Sequence, residues 1–301
     1  MLLCPLVAST CLTARAETEP ERVDARTRAT LPTTTASVPM DSLGRRPVVE
    51  ALINGKGQFR LILDTGTSFG VVLDDAVIRK LGRSMKESVQ ALGGGNLDLV
   101  EAGTLAIGDA VFSQVKGIRS DVGGRVGDQE IVGILGSPLF RECLLTLDFV
   151  ERRVRFESGQ LPWPDGDTVE YSTDQEHDYG VTVAFSVAGV SVKAHLDTGS
   201  PAFVTLLNKF QKKLPLKEQP QVVGIARTPQ GEAEIRSAVL DGVLKLGRHE
   251  WAKPRIDFAD LVPMLHFDAG NIGSRLLRED AVTVDQNNHR VRFRRSRDGG
   301  R

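Results

Sequence analysis

The sequence predicts a mostly β protein made of two copies of one β-lobe, related by a pseudo-twofold axis with a cleft between them. Three observations carry this reading. The tripeptide Asp64-Thr65-Gly66 returns as Asp197-Thr198-Gly199, each copy entered by an apolar run and followed by a hydroxyl residue, Thr67 or Ser200. Landmarks around the two copies recur in one order. Each copy also closes a pair of apolar segments joined by a short turn, the pattern of a β-hairpin. A single such tripeptide would mean little, because Asp and Gly are ordinary turn residues. Two inside a longer repeat mark a duplication.

The repeat can be followed along the chain. Asp64 and Asp197 lie 133 residues apart, and the same offset carries Arg79-Lys80-Leu81 onto Lys212-Lys213-Leu214. Leu105-Ala106-Ile107-Gly108 answers Leu244-Lys245-Leu246-Gly247. An offset of 137 then places Leu135-Gly136-Ser137 on Ile272-Gly273-Ser274, and Leu145-Thr146-Leu147-Asp148 on Val282-Thr283-Val284-Asp285. Arg153-Val154-Arg155-Phe156 recurs unchanged as Arg290-Val291-Arg292-Phe293. Small drifts in offset read as loop insertions. The first lobe is expected at residues 46–156 and the second at 179–293. Between them residues 157–178, with Pro162, Pro164, Gly166 and seven acidic residues, read as an interlobe linker.

Within each lobe the elements follow in parallel. Residues 47 to 53 alternate, Asn54-Gly55 supplies a turn, and residues 59 to 63 lead into Asp64. Residues 181 to 187, Ala188-Gly189 and residues 190 to 196 repeat this before Asp197. Each motif is followed by a short helical pattern, residues 74 to 81 stopped by Gly82 and residues 206 to 214 stopped by Pro215. Next comes a hairpin pattern with a mobile tip. Its centre is Gly93-Gly94-Gly95-Asn96 in the first lobe and Thr228-Pro229-Gln230-Gly231 in the second. The triple glycine lacks the strand-to-helix setting and following Lys-Ser/Thr of a phosphate loop.

Composition fits a folded two-lobed protein, with 301 residues, 41% hydrophobic and 26% charged. A formal net charge of −1 gives no footprint for nucleic acid. The basic cluster ending the chain reads as a solvated tail at 294–301. No apolar run reaches the roughly 20 residues that span a bilayer. Residues 1–16 read as a signal peptide, since an apolar start leads to Ala14-Arg15-Ala16, the A-x-A form of a cleavage site, and this predicts a periplasmic or secreted protein. Thr10 before Cys11 fits a lipoprotein site poorly. Residues 17–45, rich in Thr, Arg, Glu and Pro without periodicity, read as a flexible segment or short propeptide. Cleavage would leave Cys143 alone, a core residue at the start of an apolar strand.

At this point the chain resembles the aspartic proteases related to pepsin and the retropepsins, in their bacterial, single-chain, tandem form. The resemblance spans residues 46 to 293. It rests on the doubled Asp-Thr-Gly-Thr/Ser motif and on Ile134-Leu135-Gly136 and Asn271-Ile272-Gly273, the segments that in this family thread behind the catalytic loops. Asn271 stands where an apolar residue is expected, which points to altered local packing. The first hairpin candidate, residues 85 to 101, has no aromatic residue and so lacks the flap tyrosine of pepsin-like enzymes. With a hairpin in both halves, two flaps are expected over the cleft, carrying Gly93, Gly94, Gly95 and Asn96 on one side and Pro229, Gln230 and Gly231 on the other.

The chemistry implied is hydrolysis of a peptide bond by water activated between Asp64 and Asp197. Two carboxylates at hydrogen-bonding distance cannot both ionise cheaply, so they share a proton and supply a base and an acid together. Gly66 and Gly199 let the backbone approach them. By resemblance, Thr65 and Thr198 bond across the lobes, and Thr67 and Ser200 donate hydroxyl bonds to their own motif's aspartate. An acidic optimum follows. No metal, cofactor or covalent nucleophile is called for, and a fused pseudo-dimer is expected to work as a monomer on a peptide or protein substrate.

Other polar residues have plainer readings. Alternation puts His195 on the same face as Asp197, where it would tune the dyad, although a structural histidine is the simpler reading. His177, His249, His266 and His289 lack metal-ligand spacing. Asp148 and Asp285 read as turn residues. Beside the endopeptidase stand a peptide-binding pseudo-protease, which intact aspartates in both motifs disfavour, and a processing protease dedicated to one partner protein.

Overall fold

The computed structural model describes residues 27–32, 35–82, 88–90, 96–122, 124–126, 129–173, 180–228, 231–260 and 270–295. Both expected hairpins form. Arg46–Ile53 pairs antiparallel with Lys56–Asp64, and Thr182–Val187 pairs with Val190–Asp197. Their two-residue turns place both central residues at positive φ, 51° and 69° for Asn54 and Gly55, 49° and 83° for Ala188 and Gly189. This turn twists in the same sense as the strands it joins.

Each hairpin delivers its aspartate to the same setting. Gly133–Gly136 runs parallel to the first motif strand with Gly136 opposite Asp64, and antiparallel to Val71–Leu73 on its other side. Gly270–Gly273 does likewise, Gly273 opposite Asp197, with Val204–Leu206 beyond. After the first motif, helix Asp75–Leu81 is capped by the Asp74 carboxylate, which accepts from the Ala76 N–H, and stops at Gly82 with φ 67°. The second copy shortens to a 3-10 turn, Asn208–Lys212, whose N-terminal residue Leu207 offers no side-chain cap.

Six antiparallel strands bridge the lobes in the order Thr35–Pro39, Arg153–Glu157, Leu144–Asp148, Asp280–Asp285, Arg290–Arg295, Thr168–Ser172. At its centre Thr146 pairs with Thr283, its own copy in the repeat, their hydroxyls 2.9 Å apart. A residue facing its own copy marks where the pseudo-twofold axis passes. Separate buried clusters fill each lobe, around Phe112, Phe140 and Phe156 in the first and around Phe258 and Phe293 in the second.

Several boundaries differ from the sequence reading. The segment read as flexible from 17 to 45 contains three strands. Arg28–Thr30 pairs with Ala110–Arg119, Thr35–Pro39 joins the bridging sheet, and Asp41–Leu43 pairs with the first hairpin. Ala36 and Met40 are buried in the first core, and the Ala29 N–H reaches the Glu142 carboxylate at 2.9 Å. The linker read at 157–178 is also partly built in. Thr168–Ser172 is a bridging strand, and Leu161 is buried with its N–H on the Asp285 carboxylate at 2.9 Å. Arg294 and Arg295, read as the start of a tail at 294–301, belong to strand Arg290–Arg295, and residues 296–301 lie outside the described residues. Residues 1–16, read as a signal peptide, lie outside the described residues.

Candidate active site

The two motif loops meet on the axis. The Thr65 N–H donates to Thr198 Oγ1 at 3.1 Å and the Thr198 N–H to Thr65 Oγ1 at 3.2 Å. Each hydroxyl in turn donates across the lobes, Thr65 to the Leu196 carbonyl at 2.6 Å and Thr198 to the Leu63 carbonyl at 2.7 Å. Both threonines are buried, so these exchanges are shielded from water. Arg46, also buried, adds a further link, its Nε donating to the Gly199 carbonyl at 2.8 Å. Ser137 Oγ holds the Thr65 carbonyl at 2.7 Å, while Ser274 Oγ bonds the Ser200 and Arg45 carbonyls.

This grip sets Asp64 and Asp197 face to face. Both are buried, at 2% and 6% exposure. A Cβ built on Gly66 would lie 2.9 Å from Asp197 Cγ, and one on Gly199 would lie 2.5 Å from Asp64 Cγ. Only glycine permits so close an approach of each loop to the opposite carboxylate. The Gly66 N–H donates to Asp64 Oδ1 at 2.7 Å and Thr67 Oγ1 to Asp64 Oδ2 at 2.9 Å. On the other side the Ser200 N–H donates to Asp197 Oδ1 at 2.8 Å.

Burial holds the Asp197 carboxyl well above the usual carboxylate range, and the neighbouring Asp64 charge adds to it. Hydrogen bonds from Asn271 and the Ser200 N–H pull the other way. In the same neighbourhood burial pushes the His195 imidazole below its ordinary value, against the opposing charge of Asp64 and a bond to the Gly66 backbone. The arrangement can therefore keep one proton on a carboxyl pair and present the other acid as a base.

One expectation needs correcting. The Ser200 hydroxyl does not donate to Asp197; its Oγ accepts the Ala202 N–H at 3.4 Å, and the bond to Asp197 Oδ2 comes instead from Asn271 Nδ2 at 2.9 Å. Asn271 was legible in sequence only as a misfit in an apolar position. Its role needed the register, which sets it beside His195 on the motif strand. The other turn readings agree with the geometry. Asp148 Oδ1 accepts the Glu151 N–H at 2.9 Å and Asp285 Oδ1 the Asn288 N–H at 3.2 Å.

Strand register also reveals a difference between the lobes that linear reading missed. Across the first sheet, Val48, Ile62, Ile134, Val72, Ile118 and Leu99 stand side by side. At the corresponding places in the second sheet stand Thr182, His195, Asn271, Thr205, Asp257 and Ser237. An apolar row has become a polar one. Ile62 and His195 each precede their aspartate by two residues, so both rows lie on the face that carries the carboxylates.

Each lobe has the expected hairpin beyond its motif, Ser88–Gln90 with Asn96–Ile107 and Gln221–Thr228 with Gly231–Val239. Asn96 and Gly231 begin the returning strands. The tips at Gly93, Gly94, Gly95, Pro229 and Gln230 lie outside the described residues. In the second hairpin, Gln221–Thr228 is the outer strand of its sheet and exposes Val222, Val223 and Ile225.

A sequence profile for a family described as aspartyl protease matches residues 49–139 and 183–276, one stretch on each motif-bearing lobe. The chain belongs to the aspartyl protease family. Both halves match, so it is the tandem, single-chain form with a pepsin/retropepsin-like fold. A search of curated proteins found no match. Among solved structures, basic 7S globulin from soybean is similar at 14% identity, covering 88% of this chain and 96% of that one, with a TM-score of 0.48.

Proposed function

We propose that this aspartyl protease family member is an active endopeptidase using Asp64 and Asp197 as one acid-base pair. The observation that carries the reading is the placement of two buried carboxyls against each other on the axis, each with backbone and side-chain donors. Asp197, raised by burial and by the charge of Asp64, carries the shared proton. Asp64 takes a proton from a bound water, whose oxygen attacks the peptide carbonyl carbon. Asp197 gives its proton to the carbonyl oxygen, forming a neutral tetrahedral diol. Return of a proton to the nitrogen breaks the C–N bond and releases acid and amine.

An extended substrate would lie in the interlobe cleft, with the strand edges of the two hairpins offering backbone hydrogen bonds. Both lobes are present in one chain, so a monomer suffices. Export to the periplasm or outside the cell rests on the Ala14-Arg15-Ala16 site and is checked by the N-terminal sequence of the mature protein. The reading as a whole is tested by incubating the protein with an unfolded protein mixture and sequencing the products by mass spectrometry. Internal cleavages that vanish in both Asp64→Asn and Asp197→Asn are expected. Products that persist in either variant would refute the shared pair, and an inert, folded wild type would leave peptide binding or a single dedicated substrate as the better reading.

A further inference from the structure

Each aspartate takes a side-chain donor on Oδ2, and the two lobes supply it by different means. Asp64 Oδ2 is met by a hydroxyl from its own loop, Thr67, whereas Asp197 Oδ2 is met by an amide from the supporting strand, Asn271. A hydroxyl both donates and accepts, but an amide N–H only donates. Thr67 can therefore serve Asp64 whether or not Oδ2 holds a proton, while the Asn271 amide favours a bare Oδ2 on Asp197 as the Ser200 N–H favours a bare Oδ1.

We propose that Asn271 is the positioning residue of Asp197, its amide fixing Oδ2 from the supporting strand and favouring the ionised carboxylate, the part that the Thr67 hydroxyl plays for Asp64 from its own loop. This rests on the reading of the two aspartates as a proton-sharing pair. Asn271 is buried at 8% exposure and stands at the centre of the polar row, between His195 and Thr205. The second lobe thus draws its Oδ2 donor from the strand behind the loop, between two paired strands, where the first lobe draws it from the loop itself. In the first lobe the same strand position is Ile134, which packs into a small apolar cluster with Ile62 and Val72 and gives Asp64 nothing.

The charged and titratable groups around Asp197 are Asp64 on the facing loop, His195 on its own strand, Arg46 from the first lobe and Asp257 further along the row. All remain when Asn271 alone is changed. Loss of the donor disfavours ionised Asp197, so its titration moves to higher pH.

The test is a carbon-13 NMR titration of the full chain with labelled aspartate carboxyls, comparing wild type with Asn271→Ile and with Asn271→Leu, which keeps the shape of the side chain without its donor or any added charge. The Asp197 resonance is expected to titrate roughly one pH unit higher in both variants. Thr67→Val should move the Asp64 resonance instead. An unmoved Asp197 titration in either folded variant overturns the proposal, as does an equal shift of both aspartates. Titration needs no turnover, so a wild type that cleaves nothing would sink the protease reading while still deciding the role of Asn271.

Discussion

The first lobe backs its catalytic-loop aspartate with hydrocarbon and the second backs its own with polar side chains, although both lobes use one backbone plan. Ile62, Ile134 and Val72 stand where the second lobe has His195, Asn271 and Thr205. What the two halves share lies on the axis: the reciprocal threonine bonds, the glycines facing the opposite carboxylates, and the Thr146–Thr283 contact. What they do not share lies one strand away. Geometry at a twofold axis must suit both copies at once, because each copy is the other's partner. Ile62, Ile134 and Val72, like His195, Asn271 and Thr205, pair with strands of their own lobe, and in a fused chain such positions are free to diverge.

The largest effect should come from breaking the shared part. Thr65→Val and Thr198→Val each remove a buried donor and strand a partner across the interface, and each is expected to cost about 2–3 kcal/mol in chemical denaturation. Equal costs support a symmetric grip. A variant tolerated in one lobe and not in the other would break the comparison at the place where the lobes should be alike.

A smaller effect, of opposite meaning, is expected from His195→Leu. Burial keeps the folded-state pKa of His195 below the ordinary value of 6.5, so as pH falls through that value the unfolded chain takes up the proton first. The stability of the neutral imidazole is present above 6.5 and lost below it. The wild type should therefore lose stability on acidification more steeply than His195→Leu, by at most ~1.4 kcal/mol per pH unit. Denaturation curves at neutral and mildly acid pH measure this, and parallel losses in the two proteins would count against a buried neutral histidine.

Asp148 and Asp285 offer the finest comparison. Both accept a turn N–H, but Asp285 also receives the linker N–H of Leu161 and the Asn288 side chain, whereas Asp148 pairs with the half-exposed Arg155. Asp285→Ala should cost about 1 kcal/mol more than Asp148→Ala. Equal costs would mean that the linker is not held by this carboxylate.

The fold was largely legible because its signals are local. Asn54-Gly55 and the alternation around it define a hairpin without reference to the rest of the chain, and the repeat then places the second. Two of the three strands before Arg46, Arg28–Thr30 and Thr35–Pro39, were hidden because their partners are remote. Thr35–Pro39 pairs with Arg153–Glu157, and a short Thr- and Ser-containing segment shows no pattern until that partner is beside it. The site was legible in its loops and obscure in its surroundings for the same reason. Thr67 follows the aspartate it serves by three residues, while the row through Thr182, His195, Asn271, Thr205, Asp257 and Ser237 draws on six separate strands. Asn271 was visible as an oddity, and only register shows that it touches Asp197.

If the two unlike lobes hold one proton between Asp64 and Asp197, the pH dependence of kcat/KM for a cleaved peptide will show it. A bell that peaks on the acid side of neutrality is expected, with the alkaline limb displaced upward by the raised Asp197 carboxyl, and no measurable turnover in either Asp→Asn variant. A rate that climbs through neutrality without an alkaline limb, or that survives the loss of either aspartate, would contradict it.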